Sequence, residues 1–358
     1  MRFVFKTRYE QDIRLWRHGG DLFWYGLLLV AMILAPLMLD NFYLGELSAV
    51  LVWAVAAIGL MLLVGFTGLV SLGHAAFLGI GAYTNAYLLG QGVPFLISFP
   101  TGGIVAALAG VAIGAPTLRM TGLYLAIATL AFAIIVEKIF ANWGSVTGGF
   151  DGLPVEYPNL FGYELTESWH FYYLCLFVLI LVIWFSSNLL RSPTGRAMVA
   201  IRDSEISAQS MGVNLAKYKT MAFAISAGIT GLAGGLFSHY VQHLAPDSFG
   251  ILLSIQLLMA VVVGGVGSIH GAIFGAIFIG ALPQTIAIMR DYLPTRVADM
   301  PGLEPGIFGV ILVYVILAEP TGIYGRWLKI RHFFELFPLY KKSTFKRQKS
   351  FTKSERLR

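Results

Sequence analysis

The sequence predicts an all-α fold, a polytopic transmembrane helical bundle of about ten spans with both termini in the cytoplasm. Three observations support this class. The chain is apolar: 57% of its 358 residues are hydrophobic and 12% are charged, against roughly a quarter charged in soluble domains. Its apolar residues form long runs, and ~20 helical residues cross a hydrocarbon core of ~30 Å. Its positive charge is unevenly distributed along the chain, as the topology of membrane proteins requires.

The predicted spans are ten apolar runs, at residues 22–39, 47–65, 72–89, 95–115, 123–140, 169–190, 220–240, 252–265, 271–288 and 306–318. The first is long enough to cross the bilayer and no small-residue cleavage site follows it, which favours a permanent span over a signal peptide. The third and eighth are short and rich in glycine or serine, so each is either a continuous or a re-entrant helix. The expected domains are a cytoplasmic leader at 1–21, a membrane domain at 22–320 and a basic cytoplasmic tail at 321–358.

The lysine and arginine residues predict the orientation. With the N-terminus inside and ten alternating spans, the inside segments hold 22 of the 25 Lys and Arg residues. The outside keeps Arg290 and Arg296, with Lys138 at an outer helix end. This is a strong positive-inside pattern. Eleven of the inside cations lie in residues 326–358, where a topology anchor near anionic lipid headgroups is favoured over nucleic-acid binding.

Motifs for catalysis are missing from the sequence. There is no G-x-x-x-x-G-K-[ST] phosphate loop, so this chain is not expected to hydrolyse ATP, to be an enzyme or to bind a metal or cofactor. The single cysteine, Cys175, excludes a disulfide framework within the chain. The spans carry almost no ionisable groups, which disfavours an ion-coupled secondary transporter and leaves it as an alternative from another class. Energy for transport would then come from a partner.

Two glycine-rich breaks share the pattern V-G-x-x-G and are candidates for hinges or for the lining of a pathway. The candidate residues are Gly65, Gly68, Ser71 and His74 at the first break, and Gly264 and Gly267 at the second. Weaker pathway candidates are the polar residues Thr129, Ser254 and Gln256. The alternative is close helix packing for the glycines, since small residues let backbones approach in lipid, and a hydrogen-bonded packing role for the histidine. The shared pattern also hints at an internal repeat.

The cytoplasmic loop at 191–219 is the one long charged segment between spans. Ser192-Pro193 is a good helix start, Gly212 a good stop, and Asn214 can cap the next span. An amphipathic helix is expected between them, with an apolar face beside a charged one. The apolar face comprises Ala197, Ile201, Ala208 and Met211, and the charged face comprises Arg196, Arg202, Asp203 and Glu205. Such a helix can lie on lipid or insert into a groove of a partner.

The longest outer loop, at 141–170, contains four acidic residues and no lysine or arginine. Its segment Thr147, Gly148, Gly149 and Asp151 is expected to be flexible and acidic. The segment is either a contact for an extracytoplasmic partner or gate, or a plain turn.

Several motifs together resemble one family. The loop is similar to the E-A-A-x3-G coupling loop of ABC importer permeases, through Ala208 and Gly212, although Ser207 replaces an alanine and the acid is displaced by one position. More specifically, G-R-A-x-x-A-I-R-D at 195–203 resembles the LivM-type permease of branched-chain amino-acid importers. So do G-x-x-G-x-x-S-L-G-H-A-A-F at 65–77, G-L-Y-L-A-I-A-T-L at 122–130, T-G-G-x-x-G at 147–152, P-x-S-F at 246–249 and E-P-x-G at 319–322.

The resemblance implies ATP-driven import of branched-chain amino acids, with ATP used by partner subunits. It implies a second permease of the LivH type, two cytoplasmic ATPase subunits, a periplasmic or extracellular binding protein, and the inner or plasma membrane of a bacterium or archaeon. It assigns the coupling of ATPase movement to Gly195, Arg196, Arg202, Asp203, Glu205, Ala208 and Gly212. A urea or short-chain amide importer shares much of the pattern and stays the nearest alternative.

Overall fold

The protein is described by a computed structural model covering residues 19–116, 120, 122–160, 163–164, 166–290, 302–318 and 321–336. Fourteen α-helices occur in these ranges. They are α1 (Gly19–Met38), α2 (Asn41–Thr67), α3 (His74–Gly90), α4 (Phe95–Gly114), α5 (Leu123–Asn142), α6 (Gly144–Thr147), α7 (Ser168–Arg191), α8 (Pro193–Asp203), α9 (Glu205–Ser210), α10 (Leu215–Val241), α11 (Ile251–Gly264), α12 (Ile269–Arg290), α13 (Leu303–Ala318) and α14 (Gly322–Leu336). The leader at 1–18, Arg296, Glu319-Pro320 and the tail beyond 336 lie outside the described residues.

Each predicted span coincides with a helix, and the predicted helical membrane bundle is confirmed. Seven segments are long and apolar enough to cross a membrane: Asn41–Thr67, Phe95–Gly114, Leu123–Asn142, Ser168–Arg191, Leu215–Val241, Pro246–Gly264 and Ile269–Ala287. The apolar part of α1 (Phe23–Met38) is shorter, and α3 and α13 have 17 and 16 residues. The chain is therefore a multi-pass membrane protein. The count of ten spans and the side of each terminus stay predictions.

The centre of the bundle is formed by α2 and α10. α2 is the most buried candidate span, with 83% of its apolar window inside the protein, and it packs against α7, α10 and α12. α10 packs along α3 and α4 as well as α2. Because α2 is apolar on every side, burial all round is the environment its composition suits. Helices such as α1 and α5 instead present many exposed apolar side chains, as surfaces facing lipid do.

Glycines allow the central helices to touch through their backbones. A Cβ at Gly234 of α10 would overlap the carbonyl of Leu78, and one at Gly275 of α12 would overlap the carbonyl of Ala260. A Cβ at Gly271, the partner of Gly275 in a G-x-x-x-G pair, would overlap the carbonyl of Gly265, just after α11. Any side chain at these three positions would push two helices apart, so the glycines are needed for close packing.

The extracytoplasmic loop predicted by charge contains the small β-structure of the chain. β1 (Leu153–Pro154) pairs antiparallel with β4 (His243–Leu244), which follows α10. β2 (Asn159–Leu160) pairs with β3 (Tyr163–Glu164). Single turns of 3₁₀-helix at Gly149–Asp151 and Pro246–Phe249 flank the first pair. These two-residue strands leave the fold class unchanged, and the β1–β4 pair holds the loop against the C-terminal end of α10.

Candidate functional site

The loop at 191–219, predicted to be cytoplasmic, folds as two helices rather than the single one expected. Ser192 caps α8 by accepting a hydrogen bond from the Gly195 amide. Ser204 is extended (φ −165°, ψ 114°), ends α8 and caps α9 through its own side chain. The break follows from Ser204 itself, because a serine hydroxyl that bonds the backbone three residues on competes with continued helix. Gly212 has a φ of +85°, and Asn214 caps α10, so the predicted stop and cap are confirmed.

The apolar face of the loop points into the membrane domain. Ala197, Ile201 and Ala208 were expected to face lipid or a groove of a partner, but they are buried within the chain, together with Met198, which the sequence reasoning missed. Met198 packs in a small core cluster with residues of α2, α5 and α10. The expected place of Met211 on this face is wrong, because its side chain is 85% exposed. It lies after the end of α9, where the helical periodicity no longer applies.

The expected charged face is engaged largely with the chain itself. Arg196 donates to the carbonyl of Arg191 at 3.0 Å. Glu205 Oε2 lies 2.7 Å from the Nζ of Lys219 on α10, whose side chain is only 3% exposed. Nothing in the local sequence marks Lys219 as buried, since lysines near a span end ordinarily reach water. Of the two carboxylates on this face, that of Asp203 is the more exposed, at 65% against 35% for Glu205.

Arg202 joins the loop to both glycine-rich breaks. Its Nη1 donates to the carbonyl of Gly65 at 3.1 Å, and its Nε and Nη2 hold Asp203 Oδ1 at 3.0 and 2.9 Å. The Arg202 stem lies against Gly68, where a Cβ would come within 3.1 Å of Cγ. At the second break, a Cβ on Gly267 would lie 3.4 Å from Nη1. We call this arrangement of Arg202 with Gly65, Gly68 and Gly267 the arginine junction.

The two breaks also touch each other. The Gly267 amide donates to the sulfur of Met61 on α2 at 3.2 Å, and a Cβ on Gly65 would lie 2.7 Å from the Gly267 nitrogen. Gly68 ends α2 with a φ of +74°, and Gly267 has a φ of +87°. These left-handed conformations favour glycine. Gly264 ends α11 and lies against Gly271 of α12. The sequence placed both breaks on one side of the membrane, and the structure brings them into contact.

The predicted polar residues of the first break form a buried hydrogen-bonded network. His74 Nδ1 lies 2.9 Å from Ser71 Oγ, and His74 Nε2 lies 2.8 Å from Ser226 Oγ on α10. Ser226 in turn donates to the carbonyl of Gly59 on α2 at 2.6 Å. We call this chain the serine–histidine bridge. The hydrogen-bonded packing role for His74 is confirmed, and Ser226, 152 residues away, could not have been paired with it from sequence.

Two weaker pathway candidates support the same segment. Thr129 Oγ1 accepts a hydrogen bond from the Leu72 amide at 3.0 Å, and Ser254 Oγ accepts one from the Ala75 amide at 3.1 Å. Both side chains are buried. Gln256, two residues further along α11, is half-buried. Thr129 and Ser254 therefore satisfy backbone donors where α3 begins, and a pathway role for any of the three stays a prediction.

The outer segment expected to be flexible has a defined fold. Thr147 is buried and donates to the carbonyls of Phe140 and Trp143 at 2.6 and 2.8 Å. Gly148 and Gly149 have φ values of +73° and +63°, so this tight turn specifies glycine. A Cβ at Gly148 would overlap the carbonyl of Gly152. Asp151 is exposed, which leaves its carboxylate accessible to solvent.

Ionisable groups are sparse in the part of the chain that the structure covers. Glu137 and Lys138, adjacent on α5, form an ion pair at 3.9 Å. No group of three or more His, Cys, Asp or Glu side chains is placed to hold a metal ion within the described ranges.

Comparison with known proteins gives consistent matches. Residues 42–317 match the family described as branched-chain amino acid transport system / permease component. The permease protein LivM of the high-affinity branched-chain amino acid transport system of Salmonella typhimurium is 32% identical, over 83% of this chain and 73% of that protein. The LivH permease protein of the same system and organism is 26% identical, over 76% and 91%. LsrC, an autoinducer 2 import system permease protein of Escherichia coli, is 27% identical, over 82% and 85%.

Proposed function

The chain belongs to the branched-chain amino acid transport permease family, and from that premise we propose that it is the membrane subunit of an ATP-driven importer of branched-chain amino acids. The observation that carries the proposal is the family match over residues 42–317, which includes both glycine-rich breaks and the cytoplasmic loop. Its relatives are permease proteins rather than enzymes.

The proposed assembly pairs this chain with a second permease. Similarity to both LivM and LivH permease proteins supports a LivH-type partner related to this chain. Two cytoplasmic ATPase subunits would supply the energy, because the sequence has no phosphate-binding loop of its own. A periplasmic or extracellular binding protein would deliver the substrate. We place the chain in the inner or plasma membrane of a bacterium or archaeon, with both termini cytoplasmic as its positive charge predicts.

The ATPase would dock on the solvent-exposed side of α8 and α9, away from the membrane domain. Ile206 and Met211, which are 83% and 85% exposed, would pack against the ATPase, and the Asp203 carboxylate lies near them in sequence. Inside the loop, Arg202 would carry the movement to the two breaks. In alternating access, closure of the ATPases would shift α8, and the arginine junction would change the contacts of α2, α3, α11 and α12 at their cytoplasmic ends.

The proposed role of the outer loop is contact with the binding protein or closure of the outer mouth. Its support is the exposed Asp151 on a hydrogen-bonded turn and the pairing of β1 with β4, which links the turn to α10. Asp151→Asn would keep the fold of the turn, and loss of uptake with unchanged basal ATP hydrolysis would favour the contact.

Uptake by the reconstituted transporter tests the proposal. The chain is coexpressed with the genes adjacent to its own, and the co-purified complex is reconstituted with ATP inside vesicles. We expect uptake of labelled leucine that unlabelled isoleucine and valine inhibit. Uptake of labelled urea instead would replace the substrate class while keeping the permease role. Transport by the lone chain, driven by a proton gradient without ATP, would overturn the proposal and favour an ion-coupled transporter.

A further inference from the structure

Helix α14, which follows the last apolar helix, carries a stripe of exposed apolar side chains. Ile323, Trp327, Ile330 and Phe334 are all exposed, with Trp327 at 51% and Phe334 at 71%. At 100° per residue these four positions span an arc of about 60°. The opposite side contacts the protein, since α14 packs on α11 and α12. One face of α14 is therefore held by the chain, and an apolar stripe points away from it.

Positive charge borders the stripe on both sides. By the same helical geometry, Arg326 lies at one edge of the stripe and Arg331 at the other, with Lys329 beyond Arg326. All three residues are exposed. The sequence from 322 to 358 contains eleven Lys and Arg residues against two acids, Glu335 and Glu355. An apolar stripe with a tryptophan, bordered by cations, is the pattern of a helix lying in the interface of an anionic membrane.

The start of α14 is seated on the second glycine-rich break. Gly322, at a φ of +68°, lies so close to Gly265 that a Cβ there would come within 2.6 Å of the Gly265 Cα. In return, a Cβ on Gly265 would meet the Thr321 carbonyl oxygen at 2.9 Å and the Tyr324 Cβ at 3.2 Å. Tyr324 also stacks on His270 of α12, with ring centroids 5.6 Å apart. A contact that fixes the position of α14 would therefore also restrict the C-terminal end of α11 and the N-terminal end of α12.

We propose that the stripe of Ile323, Trp327, Ile330 and Phe334, with its bordering cations, binds the anionic phospholipid surface of the membrane and that this contact braces the second break. Charge complementarity selects the occupant: a protein groove could accept the apolar stripe, but a strongly basic helix and tail fit an anionic headgroup layer. The apolar side chains would enter the acyl boundary, while the arginines and lysine reach the phosphates.

Spin labels at adjacent positions test the lipid contact. Cys175 is buried and is replaced by alanine; nitroxide labels are then placed at Ile330→Cys on the stripe or at Lys329→Cys beside it. The whole transporter is reconstituted in vesicles of phosphatidylcholine with or without phosphatidylglycerol. The Ile330→Cys variant keeps all the cations. We expect its label to be accessible to oxygen and shielded from a water-soluble nickel complex. The label at 329 should show the reverse.

The charge requirement is tested in the same vesicles. Arg326→Gln in the Ile330→Cys background should lower the ratio of lipid-inserted to water-exposed label about fivefold, the factor expected of one cation at an anionic surface. Lys217→Gln, which removes an exposed cation on α10, is the matched control and should leave the ratio unchanged. Omitting phosphatidylglycerol should act like Arg326→Gln. A 330 label that is open to nickel in every vesicle would overturn the proposal, and so would one shielded from both reagents, because a protein subunit would then cover the stripe.

The bracing of the break predicts a lipid dependence of transport, and this part rests on the proposed function. Leucine uptake should rise with phosphatidylglycerol content in the wild type and not in Arg326→Gln. If uptake of leucine itself is absent while the labels insert as expected, the proposed function fails and the lipid-binding surface stands. If uptake is present but indifferent to lipid while the labels insert, the bracing is refuted.

Discussion

Arg202→Met is the sharpest test of how the loop communicates with the membrane domain. Methionine keeps an unbranched apolar stem against Gly68 but cannot donate to the Gly65 carbonyl, 3.1 Å from Nη1 in the wild type. Hydrogen bonds to charged groups contribute ~1.5–3 kcal/mol. The Asp203 pair is more exposed, with side-chain exposures of 36% and 65%, and such pairs contribute ~0–1 kcal/mol. The Gly65 bond is therefore the larger of the two contributions.

The expected consequence is a loss of coupling between ATP hydrolysis and uptake. Removing ~1.5–3 kcal/mol from the contact between α8 and the first break corresponds to roughly a 10- to 150-fold weaker preference for the joined arrangement. The assay compares the number of leucine molecules taken up per ATP hydrolysed in reconstituted vesicles. We expect that ratio to fall at least several-fold in Arg202→Met while the complex still assembles.

Asp203→Asn is the matched control, because it removes the exposed ion pair and leaves the Gly65 bond. It should change the ratio less than twofold. If Arg202→Met transports with an unchanged ratio and normal assembly, the arginine junction does not transmit movement. If both variants lose coupling equally, the ion pair rather than the Gly65 carbonyl is responsible.

Three further predictions concern the parts that hold the site. Glu205→Gln should destabilise the detergent-solubilised protein by ~3 kcal/mol, because it leaves the buried ammonium of Lys219 without its carboxylate; adding Lys219→Met should restore thermal stability, and a double variant no better than the single one would refute the pairing. Gly275→Ala should lower stability by ~1–3 kcal/mol through overpacking between α11 and α12, whereas Gly309→Ala, with open space around it, should be neutral or slightly stabilising in the same melting assay. Ser226→Ala in the serine–histidine bridge should cost ~1–3 kcal/mol by leaving buried polar atoms without a partner, while Ser226→Thr, which keeps the hydroxyl, should cost less.

Local signals in the sequence predicted the ends of helices and the class of the fold. Ser192, Gly212 and Asn214 act as the caps and the stop that their residue types favour, because each bonds within a few residues of itself. The apolar runs coincide with helices for the same reason: helix formation and membrane insertion depend on local composition. Ser204 is also a local signal, because its hydroxyl caps α9. The prediction of one continuous amphipathic helix passed over this cap.

The faces of the helices could not be predicted, because the spans are apolar on nearly every side. Without an apolar stripe, periodicity does not tell which side of α2 meets α10 or lipid. The contacts that build the candidate site all depend on that choice. Arg202 donates to the Gly65 carbonyl, 137 residues away, and the buried Lys219 forms an ion pair with Glu205 of the preceding helix. Arg196, Arg202 and Glu205, which were expected to face a docking partner, instead contact other groups of the chain.

The convergence of two breaks on one side chain has a mechanical consequence. Gly65 lies in the last turn of α2 and Gly267 precedes α12, so the breaks belong to the two parts of the chain that share the V-G-x-x-G pattern. Arg202 hydrogen-bonds the first and lies within van der Waals distance of the second. A displacement of α8 therefore cannot leave either break unchanged: moving the guanidinium removes the partner of the Gly65 carbonyl and opens space beside Gly267. Positive-φ glycines at both breaks let the backbone absorb that change without a side-chain clash. A movement of this one loop would therefore act on both helix pairs, α2–α3 and α11–α12, at the same time.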